Sequence, residues 1–562
     1  MLNLEGNKAM PGKKQSKNDP LERQARMPKH SVPSALVPYL ILAAIFILFS
    51  YVRIRLASFP LERDEGGYAY FGRLILHGIP PYQQAYDIKF PGIFAVYALI
   101  MAVFGQTAQG IRHGLLVFDL GSLAFIFLIM KRMFSKFSAL AAVAVAAILF
   151  TSPDLLGQAA HATHFVAFFM LAGSWLLLEG MEKRRWPIFL LAGVMMGLSL
   201  LIKQSGIFFP LFGGAVVIAG QWLRKERKWT GLLAPLLPYT LGIVVPLLLM
   251  VLTLFLCGVF DRFWFWTSVY PKFFGSRVPL SWAWTSLAAS FSKVLHAFPA
   301  AWILAAFGGV ALSLYRGKPF ERLFLGLLLI FSFLAVIPGF FFRPHYFIPM
   351  AAAVGMLAGF FLEYLNLRIG PKFRRIPYVT GIVFVVLVIA VLNGRKHYFF
   401  QADPVDLCRE LYAGNYFAEA VPVADYIKAN TKVDDRILVF GSEPEIYFYS
   451  GRRSVTPYIF LYDLAYPHPY VKAMQKDLMS EVEKAKPKII VIVSCDNSWM
   501  AMGGASDALF TWMDSYARQH NYLLAGLVEY YYPEPSDFFW GDDTLTHKPK
   551  TQNYMYILER RE

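Results

Sequence analysis

Residues 64–68 read Asp-Glu-Gly-Gly-Tyr, and residues 86–92 read Tyr-Asp-Ile-Lys-Phe-Pro-Gly. Both stretches lie between apolar runs of a strongly hydrophobic chain, the first of which covers residues 36–51. Charged side chains next to membrane spans are unfavourable there and usually mark a functional site. The sequence therefore predicts an active site at one surface of a membrane protein.

Composition indicates the class of protein. Of the 562 residues, 56% are hydrophobic, 16% aromatic and 16% charged. A soluble core cannot bury that much apolar surface, so we expect an integral membrane protein whose surroundings are the lipid bilayer. The net charge is +16, with cations clustered at the ends of apolar runs, as in residues 183–185, 224–228 and 372–375. Such clusters are typical of cytoplasmic loops and argue against a nucleic-acid partner.

Residues 1–33 are polar and rich in lysine and arginine, and no small-residue cleavage site follows the apolar run after them. They are predicted to form a disordered cytoplasmic tail ahead of an uncleaved signal anchor. With the later apolar runs, the sequence predicts about eleven transmembrane helices. The later runs lie near residues 114–130, 138–151, 164–180, 187–202, 206–222, 231–257, 296–315, 322–341, 346–365 and 376–392.

The apolar run 90–104 is ambiguous, because it is shorter than a span. Counting it would place the basic residues 131–136 opposite the basic tail, so the positive-inside rule favours an interfacial helix instead. Residues 58–112 then form the first extracytoplasmic loop of a membrane module that covers residues 34–394. The same face collects the polar residues Asp64, Glu65, Asp87, Lys89, Arg112, His161, His164, Lys203, Arg343 and His345.

Residues 395–562 no longer contain a run of span length and are predicted to form a soluble α/β domain. Because the number of spans is odd and the chain starts in the cytoplasm, this domain is expected outside the cytoplasm. The three cysteines define no disulfide framework, and a bridge between Cys408 and Cys495 stays open. Short apolar runs predict strands at 436–441, 488–493 and 554–558, alternating with helices at 416–429, 471–485 and 507–519.

A series of weak motifs, taken in order, carries a family resemblance. Over roughly residues 35–395 the chain resembles the GT-C glycosyltransferases of family 39, the protein mannosyltransferase and aminoarabinose transferase type. The motifs are an Asp-Glu pair after the first span, His77-Gly78, the run 86–91, Arg112, Leu-Ile-Lys-Gln-Ser-Gly at 201–206 and Arg-Pro-His-Tyr-Phe-Ile-Pro at 343–349.

The resemblance implies a polytopic helical enzyme of the inner (plasma) membrane. It would move a sugar from a polyprenyl-phosphate donor to a hydroxyl of a glycan, lipid or protein on the extracytoplasmic face. The carrier would be undecaprenyl phosphate in a bacterium and dolichyl phosphate otherwise. No glycine-rich phosphate loop is present in the sequence, which fits a donor anchored by its lipid tail.

Such a transfer needs a carboxylate to take the acceptor proton and cations to stabilise the leaving phosphate. Asp64 is the expected general base, with Glu65 orienting it or binding backbone donors. We expect burial to raise the pKa of such a carboxylate. The donor phosphate is assigned to Lys89, Arg112, Lys203, Arg343, Tyr68, Tyr86 and Tyr346, and other substrate contacts to Asp87, His161 and His345.

Other interpretations stay open. Asp64 could merely cap a helix over residues 65–76. Lys89, Arg112 and Lys203 could be ordinary interfacial anchors whose charged ends extend to the lipid headgroups. A divalent cation on Asp64, Glu65 and a histidine lacks the tight ligand spacing of known metal sites, so no cofactor is assigned. A lipid or sugar transporter, or a non-catalytic assembly subunit, remains an alternative function.

Three departures from the family pattern leave the substrate unassigned. Aminoarabinose transferases carry an arginine where this chain has Gly67, and an arginine-tyrosine pair where it has His345-Tyr346. Eukaryotic-type protein mannosyltransferases carry His-Pro-Pro where this chain has Lys89-Phe90-Pro91. The resemblance therefore implies a reaction class without naming the sugar.

Overall fold

A computed structural model describes residues 32–223, 229–274, 278–371, 373, 375–500, 507–532 and 534–561. The predicted tail, up to residue 31, and the basic cluster 224–228 lie outside the described residues, as do Lys372 and Arg374. The described chain forms a helical membrane module followed by a six-stranded sheet with helices. This confirms the predicted fold class.

The described part of the membrane module contains fourteen helices of at least thirteen residues. They are α1 Val32–Arg55, α2 Arg63–Leu76, α3 Gly92–Phe104, α4 Ala108–Met133, α5 Lys136–Thr151, α6 Ala162–Lys183, α7 Trp186–Ile202, α8 Phe208–Leu223, α9 Trp229–Leu256, α10 Leu280–Ala297, α11 Pro299–Leu314, α12 Pro319–Leu334, α13 Ile348–Ile369 and α14 Ile376–Gly394. Short helical turns lie at Phe260–Trp264, Phe265–Val269 and Pro271–Phe274.

Fewer helices than predicted are long enough to span a bilayer alone. Among the described residues six helices qualify, and a seventh span results if α10 and α11, bent by 105°, count together. Three predicted spans correspond to the shorter helices α5, α7 and α14. At 1.5 Å per residue, a helix of 16 residues such as α5 is about 24 Å long, against roughly 30 Å of hydrocarbon. By length and composition, six or seven described spans therefore stand beside the predicted eleven, and the total number of spans stays a prediction.

Two short helices of the first loop, α2 and α3, pack closely against each other. A Cβ at Gly72 would lie 2.9 Å from the backbone nitrogen of Ala98, so only glycine allows this approach. The rings of Phe71 and Phe94 stack with their centroids 3.9 Å apart. The observed α3 coincides with the predicted short helix at 90–104. Asp64 lies in the first turn of α2, and Lys89 lies three residues before α3, so this packed pair of helices positions both side chains.

The C-terminal domain contains the predicted strands and helices together with elements that the sequence did not reveal. The elements are α15 Pro404–Leu411, α16 Ala420–Asn430, β1 Arg436–Phe440, α17 Pro444–Ser450, β2 Arg453–Ser454, α18 Val471–Ala485, β3 Ile489–Ser494, α19 Asp507–Gln519, β4 Tyr522–Glu529, β5 Asp537–Trp540 and β6 Tyr554–Arg560, with short turns at Tyr462–Ala465, Asp496–Trp499 and Asp543–Thr546. The sheet order is β2-β1-β3-β6-β4-β5, with β1 parallel to β2 and β3 and the other pairs antiparallel. Strands β2, β4 and β5 were not predicted.

This domain packs directly on α2. A Cβ at Gly66 would lie 2.6 Å from the backbone nitrogen of Glu445, which leaves room only for glycine. The backbone nitrogen of Ser454 donates to the Tyr70 hydroxyl at 2.9 Å. Cys408 and Cys495 are both buried and free, so the open disulfide does not form. The first loop and the C-terminal domain share one interface beside the acidic pair.

Candidate active site

A cavity of about 150 Å³ lies where the start of α2, two membrane loops and the C-terminal domain meet. Asp64, Lys89, His161 and Arg343 line it together, although they come from four separate segments of the sequence. The C-terminal domain closes one side. The full lining is Glu62, Arg63, Asp64, Ile88, Lys89, Leu156, His161, Phe341, Arg343, Pro344, His345, Tyr346, Tyr412, Tyr462 and Met500.

Asp64 faces the cavity from the first turn of α2. The helix cap is Glu62, whose carboxylate accepts a hydrogen bond from the backbone nitrogen of Glu65 at 3.0 Å. The reading of Asp64 as a cap is therefore wrong. The side chain of Asp64 keeps 29% of its surface exposed, and within the described chain it does not cap the helix. It is available for chemistry.

The Lys89 ammonium lies 3.2 Å from Asp64 Oδ1 and 3.5 Å from Asp87 Oδ2. Desolvation raises the pKa of Asp64, but the charge of Lys89, with a smaller effect of Arg343, lowers the net pKa to about 2. The expected rise is therefore reversed. Asp64 is ionised at neutral pH because the surrounding cations outweigh burial.

Lys203 follows the last residue of α7 and reaches the same site. Its ammonium lies 3.4 Å from the centroid of the Tyr346 ring, within cation–π distance. Burial lowers the pKa of Lys203 to about 7, with the charges of Lys89 and Arg343 adding to the effect and Asp64 opposing it. Lys203 can therefore gain or lose its proton near neutrality.

The imidazole rings of His161 and His345 stack with their centroids 3.8 Å apart. One ligand atom from each and one from Asp64 lie within 4.8 Å of one another. Within the described part of the chain, His161 Nε2 and His345 Nδ1 are buried without a hydrogen-bond partner. Burial lowers the pKa of His161 well below its usual range, so this ring is neutral. Two neutral imidazoles and a carboxylate form a donor set that suits a divalent cation.

Glu65 and Arg112 form a separate buried pair and do not line the cavity. Arg112 donates to both carboxylate oxygens of Glu65, with the second contact at 2.8 Å. The same carboxylate accepts from the backbone nitrogens of Glu62 and Ala160. Arg112 also donates to the Phe59 carbonyl at 3.4 Å. Arg112 therefore holds the first loop together through Glu65 and the Phe59 carbonyl. The resemblance had implied that Arg112 contacts the donor phosphate.

Three other expected site residues flank the cavity without lining it. The Lys89 ammonium lies 5.2 Å from the centroid of the Tyr68 ring. Asp87 Oδ1 accepts from the backbone nitrogen of Lys89 at 3.3 Å. Tyr86 stacks on Trp266 with the centroids 5.0 Å apart and packs against Tyr458 of the C-terminal domain at 5.3 Å, so it lies at the domain interface. Tyr68 and Asp87 hold Lys89, and Tyr346 is the expected tyrosine that lines the cavity.

A second buried ion cluster was missed in the sequence. Arg53 pairs with Asp119, whose other oxygen lies 2.9 Å from His164 Nδ1. Arg53 also donates to the carbonyls of Phe150, at 2.9 Å, and Gly157. His164, expected at the membrane face, is thus fully buried. The cluster secures the turn after α5 that leads to His161.

Glu62 and Tyr412 are lining residues that sequence reasoning missed. Glu62 stands three residues before Glu65, and this capping-box spacing was a signal that pointed to helix capping. Burial, followed by the charges of Asp64 and Glu65, raises the pKa of Glu62 to about 8. Tyr412 offered no signal, because its place in the cavity lining depends on how the domains dock.

An apolar groove of about 540 Å³ runs beside the charged site. Its wall includes Pro91 and Gly92, just after Lys89, and Leu201, two residues before Lys203. The remaining lining is Ile75, Gly78, Ile79, Pro80, Pro81, Ala95, Leu198, Pro246, Leu249, Met250, Thr253, Leu254 and Cys257. The groove thus starts next to two of the cations.

Residues 89–256 match the sequence model of a family described as dolichyl-phosphate-mannose-protein mannosyltransferase. This segment runs from Lys89 of the site to the end of α9 at Leu256. The match supports the resemblance for part of the membrane module. Among the curated proteins compared with the chain, none matches it significantly.

The fold is similar to that of ArnT from Cupriavidus metallidurans bound to undecaprenyl phosphate, with a TM-score of 0.58 at 15% identity over 94% of this chain and 98% of that chain. Two oligosaccharyltransferase structures from Archaeoglobus fulgidus are similar at 13% identity. The complex with zinc and sulfate gives a TM-score of 0.52 over 88% of this chain and 72% of that chain. The AglB complex with an inhibitory peptide and a dolichol-phosphate gives 0.50 over 90% and 75%. The resemblance is confirmed: the chain is a GT-C-fold membrane protein similar to the protein mannosyltransferases and aminoarabinose transferases.

Proposed function

We propose that this protein transfers a sugar from a polyprenyl-phosphate donor to a hydroxyl acceptor on the extracytoplasmic face of the inner membrane. The observation that carries the proposal is the position of Asp64 among Lys89, Lys203 and Arg343, beside an apolar groove. A carboxylate can take the acceptor proton, and cations can stabilise a leaving phosphate. The matched family and the ligands of the similar structures support a lipid-phosphate donor.

The donor side is supported by the groove and the cations together. An isoprenoid chain matches the apolar wall formed by Leu198, Leu201, Leu249 and their neighbours. A tail lying there would end near Lys89 and Lys203, where the phosphate meets positive charge. Fixed cations bind the departing phosphate more tightly as its charge grows, so they lower the barrier to transfer.

The transfer step balances without a redox partner. The acceptor oxygen bonds to the anomeric carbon, the bond from that carbon to the phosphate oxygen breaks, and the acceptor proton passes to Asp64. The phosphate leaves on the polyprenyl chain with the bonding electrons. Because Lys89 and Arg343 lower the pKa of Asp64, a phosphate that engages these cations would increase its basicity.

A divalent cation is a further part of the proposal. Asp64, His161 and His345 would hold it, and a bound ion would polarise an oxygen of the substrate. Lys89 and Arg343 oppose another positive charge, so we expect weak binding. Zinc titration of the purified protein by calorimetry tests this: one zinc per chain, lost in His161→Ala, is expected. Equal zinc binding by wild type and His161→Ala would contradict the assignment.

A release assay tests the function directly. A membrane extract supplies lipid-linked sugars, and the free polyprenyl phosphate formed is measured with purified protein. Mass spectrometry of surface glycans, lipids and proteins from a deletion strain then identifies the modified product. Release of polyprenyl phosphate together with a missing sugar in the deletion strain would support transfer. Movement of lipid-linked sugar across vesicles without release would indicate a transporter, and neither activity would leave an assembly subunit.

A further inference from the structure

Tyr412 belongs to the C-terminal domain and reaches into the cavity around Asp64. Its ring packs against Phe59, with centroids 6.2 Å apart, and against Phe417 at 5.3 Å. These contacts fix the ring from both domains. The hydroxyl is buried, and the described residues offer it no hydrogen-bond partner.

Two other tyrosine hydroxyls, one at this interface and one in the domain, are satisfied. The Tyr449 hydroxyl accepts from the backbone nitrogen of Leu61 at 2.8 Å, and the Tyr416 hydroxyl donates to the Ser494 carbonyl at 3.0 Å. Leaving a buried polar group unpaired costs about 1–3 kcal/mol. A tyrosine that lines the cavity with an unpaired hydroxyl is therefore suited to donate to a substrate oxygen.

Glu62 lines the same cavity. Its Oε1 is 3.6 Å from His161 Nδ1, and its charge acts on the Tyr412 hydroxyl, whose pKa is raised first by burial and then by Glu62. The tyrosine therefore stays protonated as a donor. A carboxyl group offers an acceptor oxygen in either protonation state. Together the two side chains offer one donor and one acceptor.

Charge distinguishes the surroundings of the Tyr412 hydroxyl from those of Asp64. Lys89, Lys203 and Arg343 surround Asp64. Arg63, which lines the same cavity, is engaged by Glu443, at 3.3 Å, and the Ser442 carbonyl, at 2.7 Å, and Arg112 is engaged by Glu65. An anionic group beside the Tyr412 hydroxyl would therefore approach Glu65 without gaining a partner from these two arginines. A neutral polyhydroxyl group would meet matched hydrogen-bond partners.

We propose that Tyr412 and Glu62 form an acceptor subsite for a neutral, hydroxyl-rich glycan, which the C-terminal domain completes. The Tyr412 hydroxyl donates to an acceptor oxygen, Glu62 accepts from an acceptor hydroxyl, and the hydroxyl between them is presented to Asp64. This inference rests on the proposed glycosyl transfer and adds the class of acceptor and the residues that hold it.

The test compares Tyr412→Phe with Tyr416→Phe in the full-length protein. Each variant loses one buried hydroxyl of the same domain, and Tyr416 lies outside the cavity lining. The readouts are the affinity of the purified protein for undecaprenyl phosphate and the transfer rate in a complemented deletion strain, followed by mass spectrometry. We expect Tyr412→Phe to transfer about 3- to 10-fold more slowly, the worth of one hydrogen bond, with unchanged undecaprenyl phosphate affinity. Tyr416→Phe should change neither readout.

Several outcomes would overturn the inference. A weaker affinity of Tyr412→Phe for undecaprenyl phosphate would move Tyr412 to the donor side, and an unchanged transfer rate would leave it without a substrate contact. A modified product that is a protein or an anionic lipid would overturn the glycan assignment. Asp64→Asn separates the two levels: normal transfer in that variant would remove the proposed function, whereas loss in Asp64→Asn with normal Tyr412→Phe would remove the subsite alone.

Discussion

The Lys89 ammonium and the Asp64 carboxylate lie 3.2 Å apart, so the proposed phosphate ligand and the proposed base neutralise each other in this structure. A donor phosphate that takes over Lys89 would leave Asp64 with less stabilisation of its anion. The base would then become stronger only when the donor is present. This coupling favours a sequence in which the donor binds before the acceptor is deprotonated.

Asp64→Asn should reduce sugar transfer by roughly 10² or more, because the amide cannot take the acceptor proton. Undecaprenyl phosphate should bind at least as tightly, since a negative charge leaves the cation cluster. Release assays and equilibrium binding measure the two effects. The control is Asp406→Asn, which removes an exposed carboxylate paired with Arg409 and should behave as wild type. Near-normal transfer in Asp64→Asn would refute its role as base.

The Glu65–Arg112 pair should support stability more than binding. Removing one partner leaves a buried charge unpaired, so Glu65→Gln or Arg112→Met should each cost about 3–5 kcal/mol. The double variant should lose less than the sum, and Tm in detergent measures all three. An Arg112→Met protein with wild-type Tm and weak undecaprenyl phosphate binding would restore Arg112 as a donor contact.

Lys203 should make donor binding depend on pH. Because its pKa is about 7 and phosphate prefers the charged form, affinity for undecaprenyl phosphate should fall as pH rises from 7 to 9, by at most about tenfold per unit. The pKa of Lys89 is raised by Asp64 and Asp87 against the effect of burial, so Lys89 stays charged over this range. Lys203→Arg keeps its charge and should flatten the profile. An identical decline in both proteins would exclude Lys203 as the titrating group.

Gly66→Ala should loosen the docking of the C-terminal domain, because the added Cβ would lie 2.6 Å from the backbone nitrogen of Glu445. We expect slower transfer with retained undecaprenyl phosphate binding. Gly214→Ala is the matched control, since its Cβ would meet no atom within 4 Å among the described residues. A truncation after Gly394 should likewise abolish transfer, but it also strips Tyr70 and Arg63 of their partners. Loss of donor binding in a folded Gly66→Ala protein would mean that the domain builds the donor site.

The proposed topology places the C-terminal domain outside the cytoplasm. Val433 is 77% exposed in this domain, so Val433→Cys in a Cys257→Ser background should react with an impermeant thiol reagent in intact cells once any outer barrier is opened. Cys408 and Cys495 are buried and should stay silent. A cysteine in place of Lys183, in a basic loop, should be protected. Protection of Val433→Cys with labelling of the Lys183 position would invert the topology.

Much of the site was predictable because the apolar runs assign each polar loop to one face of the membrane. Asp64, Lys89, His161, Lys203 and Arg343 were expected on one face, and the structure brings them together. The pKa of Asp64 was not predictable, because its direction depends on distances to cations that sequence does not contain.

Other features depend on partners distant in the sequence. An arginine such as Arg112 is the right residue type for a phosphate contact, but its guanidinium forms an ion pair with Glu65 instead. Tyr412 approaches Asp64 only after two domains dock. Strand β5 is four residues long and pairs with β4 where a Cβ at Gly526 would lie 2.5 Å from the Trp540 ring, a fit that local pattern does not reveal.

Arg63 bonds to Ser442 and Glu443, about 380 positions later in the chain. Synthesis proceeds at about 5–20 residues per second, so these partners emerge roughly 20–80 s after Arg63. During that interval the first loop is already beside the membrane with its arginine, its glycines and Tyr70 uncovered. Biogenesis of the cavity around Asp64 is therefore a late event, completed only when the last third of the polypeptide has been delivered, and a nascent chain stalled before that point would lack it.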